Sequence, residues 1–429
     1  ITFKKLFEDS LTLTKFSLFM SGINIYPKKI RPHIEVFLNC LFYLNFLWLY
    51  TDVIGEFYWL IEGIQIGKSF SELTLIAPCT TICLLATAKS TPVYYNKHLF
   101  TKIVNKLREL HKEFKDEDLS PEKDVNAGSV DGNKDIDRLN YEDVTVKVDD
   151  KRIIADIVNE STKILNIVIY LLFYSSIVVV VVFSTMPFAS MAYDYHVDGE
   201  TELKFPFLIK YFFNPFTKTR FPLVYFHQVW STLVAAFNVF GSDTWLYAFC
   251  MYTQMHFQIL GHNYEHAISS SDADTRRRLG ELIKRHQELI QLVDDMEIIY
   301  SKSTLFNILS SSLLICLSGF NIFVDDLGAV IAFSTFLVMS LSQISLLCFF
   351  GDMLMRTSTR VSESIYKCRW YDADRDIPKN KFDFTTIYFR AQKPCRLTAA
   401  NFANLNLSAF TTILSRSWSY FALLKTMYK

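Results

Sequence analysis

The chain has 429 residues, half of them hydrophobic and 15% aromatic, with 44 basic residues balanced by 44 acidic ones. Zero net charge removes any bulk electrostatic argument for nucleic acid or for an acidic partner. A soluble chain of this length would split into about two or three domains, whereas here the apolar residues stand in long runs.

A bilayer core takes about 20 mostly apolar residues per helix. Residues 1–32 are amphipathic, carry Lys4, Lys5, Lys15, Lys28, Lys29 and Arg31, and are expected to be a cytosolic N-terminal segment. Residues 33–96 hold spans one and two, at 34–54 and 73–95, with Asp52 near one end and Lys89 inside the other. Residues 97–163 form a cytosolic loop, and its charged, aromatic-poor part 116–150 is expected to be disordered. Residues 164–261 hold spans three and four. Ile164–Tyr193 carries no charge, and in Phe221–Gly261, taken as one long helix, only Asp243 does. Residues 262–302 are a helical extension with apolar positions at Leu279, Leu282, Ile283, Leu289, Ile290 and Val293. Residues 303–351 hold spans five and six, 352–399 form a charged anchor region, and 400–429 are a last, pore-lining span.

The segments 1–32, 97–163, 262–303 and 351–398 hold 35 of the 44 lysines and arginines, against 7 on the opposite side. The positive-inside rule then sets the orientation. The predicted fold class is an all-α membrane protein with seven transmembrane helices, a cytosolic N terminus, an extracellular C terminus and cytosolic anchor helices.

Chemistry-bearing motifs are sparse. No P-loop, GxGxxG, GxSxG or HExxH occurs, so neither enzyme activity nor a cofactor is expected. His262 and His266, with His256, have a spacing that could hold a metal, but a helix end explains them as well and no metal site is expected. Asn159-Glu-Ser and Asn406-Leu-Ser match the glycosylation pattern, yet one falls in the cytosol and the other in a span. Cys40, Cys79, Cys83, Cys250, Cys316 and Cys348 lie in apolar runs, where cysteine acts as a small hydrophobe.

Three features point toward transport or sensing. The last span carries Ser408, Thr411, Thr412, Ser415, Ser419 and Arg416, which suits a helix facing water inside a membrane protein. Packing through small residues is the alternative. The outer loops hold nine acids against five bases, which would enrich cations at a pore mouth; an ordinary solvated surface fits equally. Aromatics crowd the outer halves of the spans (Tyr174, Phe183, Trp230, Phe333 and Phe336 among them), as an apolar pocket for a small volatile or lipid-like ligand would need. Lipid contact or packing would also place them there.

The runs Ser311-Ser-Leu-Leu-Ile-Cys-Leu-Ser-Gly-Phe320, Leu347-Cys-Phe-Phe-Gly-Asp352, Arg390-Ala-Gln-Lys-Pro-Cys395 and Ser415-Arg-Ser-Trp-Ser-Tyr-Phe421 resemble the C-terminal half of insect odorant receptors, most of all moth tuning and pheromone receptors. The resemblance is strong from about residue 280 onward and weak before 150. It implies an odorant- or pheromone-gated, non-selective cation channel subunit in the plasma membrane of olfactory dendrites. The implied partners are odorant co-receptor subunits in a heterotetramer, a small hydrophobic volatile, and membrane lipid; no nucleic acid is implied. The implied odorant pocket lies between spans 2, 3, 4 and 6. Helical face and depth pick Cys79, Cys83, Tyr174, Ile177, Trp230, Phe333 and Phe336 as its lining. In the split seventh helix the resemblance places Ser419 on the pore, Leu423 at a hydrophobic gate, and Thr426 where the co-receptor carries a glutamine. Lys425 stands where that partner has an apolar residue. Both departures imply a tuning subunit that conducts poorly alone.

The rival reading is a seven-helix G-protein-coupled chemoreceptor. A cytosolic N terminus argues against it, as does the lack of a Glu/Asp-Arg-Tyr run after span three. A transporter would show repeats and buried carboxylates, and the spans hold almost no acids.

Overall fold

The computed structural model describes residues 3–25, 31–112, 134–199, 202–268, 272–324, 327–368 and 378–427. The helices among them run in order α1 (Phe3–Ser10), α2 (Thr12–Met20), α3 (Pro32–Ile66), α4 (Phe70–Thr74), α5 (Ala77–Tyr95), α6 (Lys97–Lys112), α7 (Lys134–Asp198), α8 (Phe221–Glu265), α9 (Asp272–Val324), α10 (Leu327–Lys367), α11 (Pro378–Ala391) and α12 (Leu407–Met427). Between α11 and α12 sits a small antiparallel hairpin, β1 (Thr398–Ala399) with β2 (Ala403–Asn404).

Local chemistry sets several of the ends. Pro32 opens α3, where its missing N–H is no loss, and Gly67 closes it in the left-handed region at φ 77°. The Gly67 and Lys68 amides then donate to the Ile64 and Gly63 carbonyls. Ser69 caps α4 by accepting from the Glu72 amide at 3.2 Å.

Among the described residues, six helices are long and apolar enough to cross a membrane: α3, α5 with α4 ahead of it, α7, α8, α9 and α10. The seventh, α12, has the length, 21 residues, but its hydroxyls, Arg416 and Lys425 keep it less apolar. Several helices outrun their predicted spans. Spans predicted to end at 54 and 351 continue to Ile66 and Lys367, and span five is continuous with its extension as the 53-residue α9. The last span starts at Leu407 because the hairpin takes residues 398–404. Of the insertion 116–150, residues 134–150 belong to α7; the rest lies outside the described residues.

The two ends of the molecule differ. At the bundle end, α1, α2 and α6 pack onto the lower halves of α8, α9 and α10 around fully buried Trp245, Phe249, Tyr252, Phe257 and Tyr264. The Ser10 and Tyr252 hydroxyls meet at 2.6 Å, Glu8 holds Lys15 and Arg108, and Lys102 reaches Asp295 at 2.7 Å. At the loop end, residues 202–220 fold across the tops of α3 and α8. There Lys210 pairs with Glu62 at 2.6 Å, and the Phe207 amide donates to Gln228 Oε1 at 3.0 Å.

Candidate functional site

A cavity of about 740 Å³ opens between α3, α5, α7, α8 and α10, within the size range of small-molecule sites. Along α8 its wall runs from Ser231 to Tyr247, and to Asp243 alone that is roughly 18 Å at 1.5 Å per residue. The walls are mainly apolar: Ile82, Leu171, Leu172, Val179, Val180, Phe183, Ala235, Val239, Phe240, Val330, Met339. Phe207 closes the loop end, with its ring 6.3 Å from Phe183, which in turn lies 4.8 Å from Phe336.

The structure brings only part of the predicted lining together. Cys79, Cys83 and Phe336 face the cavity. Tyr174 and Ile177 do not: on α7 the lining residues are 171, 172, 175, 176, 179, 180 and 183, and Tyr174 points away, 62% exposed, beside Tyr170. Because residues 164–193 of α7 are apolar on every side, their hydrophobic side chains do not reveal which face looks inward. The serine pair Ser175 and Ser176 is a polar sign amid that run, and it does face the cavity. Trp230 packs against the Leu49, Val53 and Cys83 cluster, and Phe333 is buried outside the lining.

Sequence reasoning missed the cavity's carboxylates. Asp52 lies at the loop end of the cavity, fully buried, with an oxygen 3.1 Å from His227 Nδ1. Asp243 lies at the bundle end, and both its oxygens accept from Lys89 Nζ at 2.7 Å. Each residue was visible singly as a charge inside an apolar run. Nothing in the sequence pairs positions 154 apart. A charge held inside a helical bundle is costly unless paired, so a buried pair of this kind marks a place of function by default.

The second region is α12. Phe421 packs with Cys316 and Phe320, and Lys425 Nζ lies 4.2 Å over the Phe323 ring. These contacts fix one face against α9. Ser419, Leu423 and Thr426 share the opposite, exposed face at helical spacing. The Ser419 hydroxyl donates to the Ser415 carbonyl and the Thr426 hydroxyl to the Leu423 carbonyl, both within the helix. Away from both regions, His262 Nε2 meets Asp150 at 3.0 Å with His266 beside it, tying α7 to the end of α8, while His256 sits elsewhere, against His111.

Comparison with known proteins fits this architecture. The match to Drosophila melanogaster odorant receptor 13a is 31% identical, covering 49% of this chain and 54% of that protein. The match to the putative odorant receptor 92a of the same fly is 24% identical and covers all of this chain and 96% of that one. The insect olfactory receptor OR5 of Machilis hrabei, solved in complex with eugenol, superposes with a TM-score of 0.75 over 99% of this chain and 98% of its own, at 14% identity, which speaks for the seven-helix fold. The family model described as 7tm Odorant receptor matches residues 133–417, two-thirds of the chain. The chain therefore belongs to the insect odorant receptor family: a multi-pass membrane protein that responds to odorants as a receptor and is not an enzyme.

Proposed function

We propose that the chain is the ligand-specific subunit of an odorant-gated, non-selective cation channel, assembled with odorant co-receptor subunits in the plasma membrane of olfactory dendrites. The observation that carries this reading is the state of α12. One narrow face packs on α9, and Ser408, Thr411, Ser415, Ser419, Leu423 and Thr426 stand exposed. A lipid-facing surface has no use for that many hydroxyls. Copies or partners around a central axis would turn them toward a hydrated path.

In this reading the cavity between α3, α5, α7, α8 and α10 takes an odorant, as the eugenol-bound relative does somewhere in its own fold. Cys79, Cys83 and Phe336 contact it; Tyr174, Ile177, Trp230 and Phe333 support the surrounding helices. Burial of the ligand's apolar surface contributes roughly 25 cal/mol per Å². Only the part of that binding that differs between closed and open arrangements can gate. The α10 helix lines the cavity from Val330 to Gln343 and then packs by Ile344 and Cys348 near Phe410 of α12. A shift of α10 would thereby move Leu423 off the axis and wet the gate.

The test is current recording in oocytes expressing the chain with and without the co-receptor, under a panel of long-chain alcohols, aldehydes, acetates and plant volatiles. A fast cation current that needs both chains is expected. A ligand response that persists without the co-receptor and passes through G proteins would overturn the channel reading.

A further inference from the structure

The cavity's polar groups narrow the chemistry of what it holds. Most of its hydroxyls have already committed their protons. Ser175 and Ser176 donate to the Leu172 carbonyl, Ser231 to His227, Thr232 to Gln228, Thr335 to Ile331 and Ser342 to Val338. Such hydroxyls soften a wall without specifying a ligand.

The bundle end of the cavity differs. Asp243 and Tyr247 stand one turn apart on α8, so both side chains share a face. Gln343 of α10 lines the same cavity, one turn from Leu347, which packs beside Lys89 and Asp243 around a void of about 10 Å³. Ser242, Leu246, Tyr300, Ser303, Thr304 and Asn307 complete that void. Asp243 lines both spaces and so forms the partition between them. Each carboxylate oxygen has two lone pairs and spends one on Lys89, leaving an acceptor position on each. The Tyr247 hydroxyl and the Gln343 amide bring donors to the same end.

A group that both donates and accepts fits this set. An alcohol hydroxyl can give its proton to Asp243 and accept from Gln343 or Tyr247. An aldehyde or ester oxygen can only accept, and it would set lone pairs against the carboxylate's. We propose that Asp243, positioned by Lys89, forms with Tyr247 and Gln343 a hydroxyl-recognising end of the odorant cavity, so that the chain prefers an apolar alcohol to the aldehyde, acetate or hydrocarbon of the same skeleton. The inference rests on the cavity being the ligand site of an odorant-gated receptor. The Asp52–His227 pair at the loop end is the competing anchor, and the test separates the two.

The full chain, co-expressed with the co-receptor, is to be tested by dose–response current on matched alcohol, aldehyde, acetate and hydrocarbon series. Surface labelling controls for expression. The alcohol is expected to act at roughly 10- to 100-fold lower concentration, the range for a hydrogen bond to a charged group. Gln343→Leu and the charge-neutral double variant Asp243→Asn with Lys89→Gln should erase that preference while weak responses to the other series persist. Asp52→Asn should leave the ranking in place. An aldehyde or acetate ranking first, or a preference lost with Asp52→Asn and kept in the bundle-end variants, overturns the hydroxyl site and leaves the receptor reading standing. Silence to every ligand with verified surface expression overturns the odorant-gated reading, and the hydroxyl site with it.

Discussion

α7 and α8 run through the same bundle and lead opposite lives. The most apolar stretch of the chain is in α7, and only 11% of it is buried inside the protein; for the less apolar α8 the share is 50%. From Asn238 to Phe257 every α8 residue is buried, among them Asn238, Ser242, Asp243, Thr244, Thr253, Gln254 and His256. Lipid is as apolar as leucine, so high hydropathy marks contact with lipid. Polar side chains inside an apolar run mark contact with protein. The functional groups of this receptor follow that rule: of the cavity's two carboxylates Asp243 comes from α8 and Asp52 from α3, and α7 supplies mostly wall.

The contrast can be broken by mutation. The largest effect is expected at Trp245, fully buried between Phe100 and Phe249. Trp245→Ala should cost about 3–5 kcal/mol, seen as a collapse of thermal stability in detergent. Val178 of α7, by contrast, is 58% exposed, and Val178→Ala should stay within about 0.5 kcal/mol. Equal losses at the two sites would mean that α7 is covered by another subunit instead of lipid.

The bundle end also carries a pH dependence that the lipid-facing wall lacks. His111 of α6 donates from Nδ1 to the Leu107 carbonyl at 2.8 Å and packs among Phe7, Tyr252 and His256. Burial pushes its imidazole down to about 4, the Arg285 charge adding to the effect and the Leu107 carbonyl opposing it. An unfolded histidine takes its proton near 6.5. The neutral folded form therefore contributes stability that is full above about pH 6.5 and is lost as pH falls toward about 4, on the order of 3 kcal/mol in all. Melting of the purified receptor across that window should show the loss, and His111→Phe should make it shallower, leaving the share of His286, which burial also pushes down to about 4. An unchanged slope in the variant would assign the loss to other groups.

A smaller gain is expected in the hairpin before α12. Ala400 and Asn401 hold φ of 50° and 59°, the left-handed region where a side chain is strained. The strain persists because the Ala400 amide donates to Ser301 at 2.9 Å and the Thr398 amide to Glu297 at 2.8 Å, docking the hairpin on α9. Ala400→Gly should relieve it and raise stability by up to about 1 kcal/mol, read as a higher melting temperature.

The spans were legible because long apolar runs leave few alternatives. The face of α7 that looks into the cavity was not, since Ile177 and Val179 are equally apolar and the signal lay in the adjacent Ser175 and Ser176. Lys89 and Asp243 were each legible as anomalies, but their pairing is a fact of tertiary structure. The hairpin at 398–404 was illegible for a different reason. Its turn uses Ala400 and Asn401 where glycine would announce it, and its partners Glu297, Ser301 and Gly351 are distant in the chain. A Cβ at Gly351 would sit 2.5 Å from the Leu405 carbonyl oxygen, so that glycine is explained only once the hairpin is seen.

The last and smallest stability effect bears on the third kind of surface. α12 is exposed like α7 yet carries hydroxyls like α8, which neither a lipid face nor a packed core explains. Leu423 is 56% exposed, so Leu423→Ala should change the melting temperature by no more than Val178→Ala does, within about 0.5 kcal/mol. If the exposed face of α12 surrounds a hydrated path, the same variant shortens the apolar barrier at its narrowest point and should leak current without ligand in the co-expressed channel. A silent Leu423→Ala with normal ligand responses would place that face against lipid or another helix, and the hydroxyls would then be a packing surface. Stability and current move together for α8 variants and apart for a pore variant, so measuring both on one preparation tells the surfaces apart.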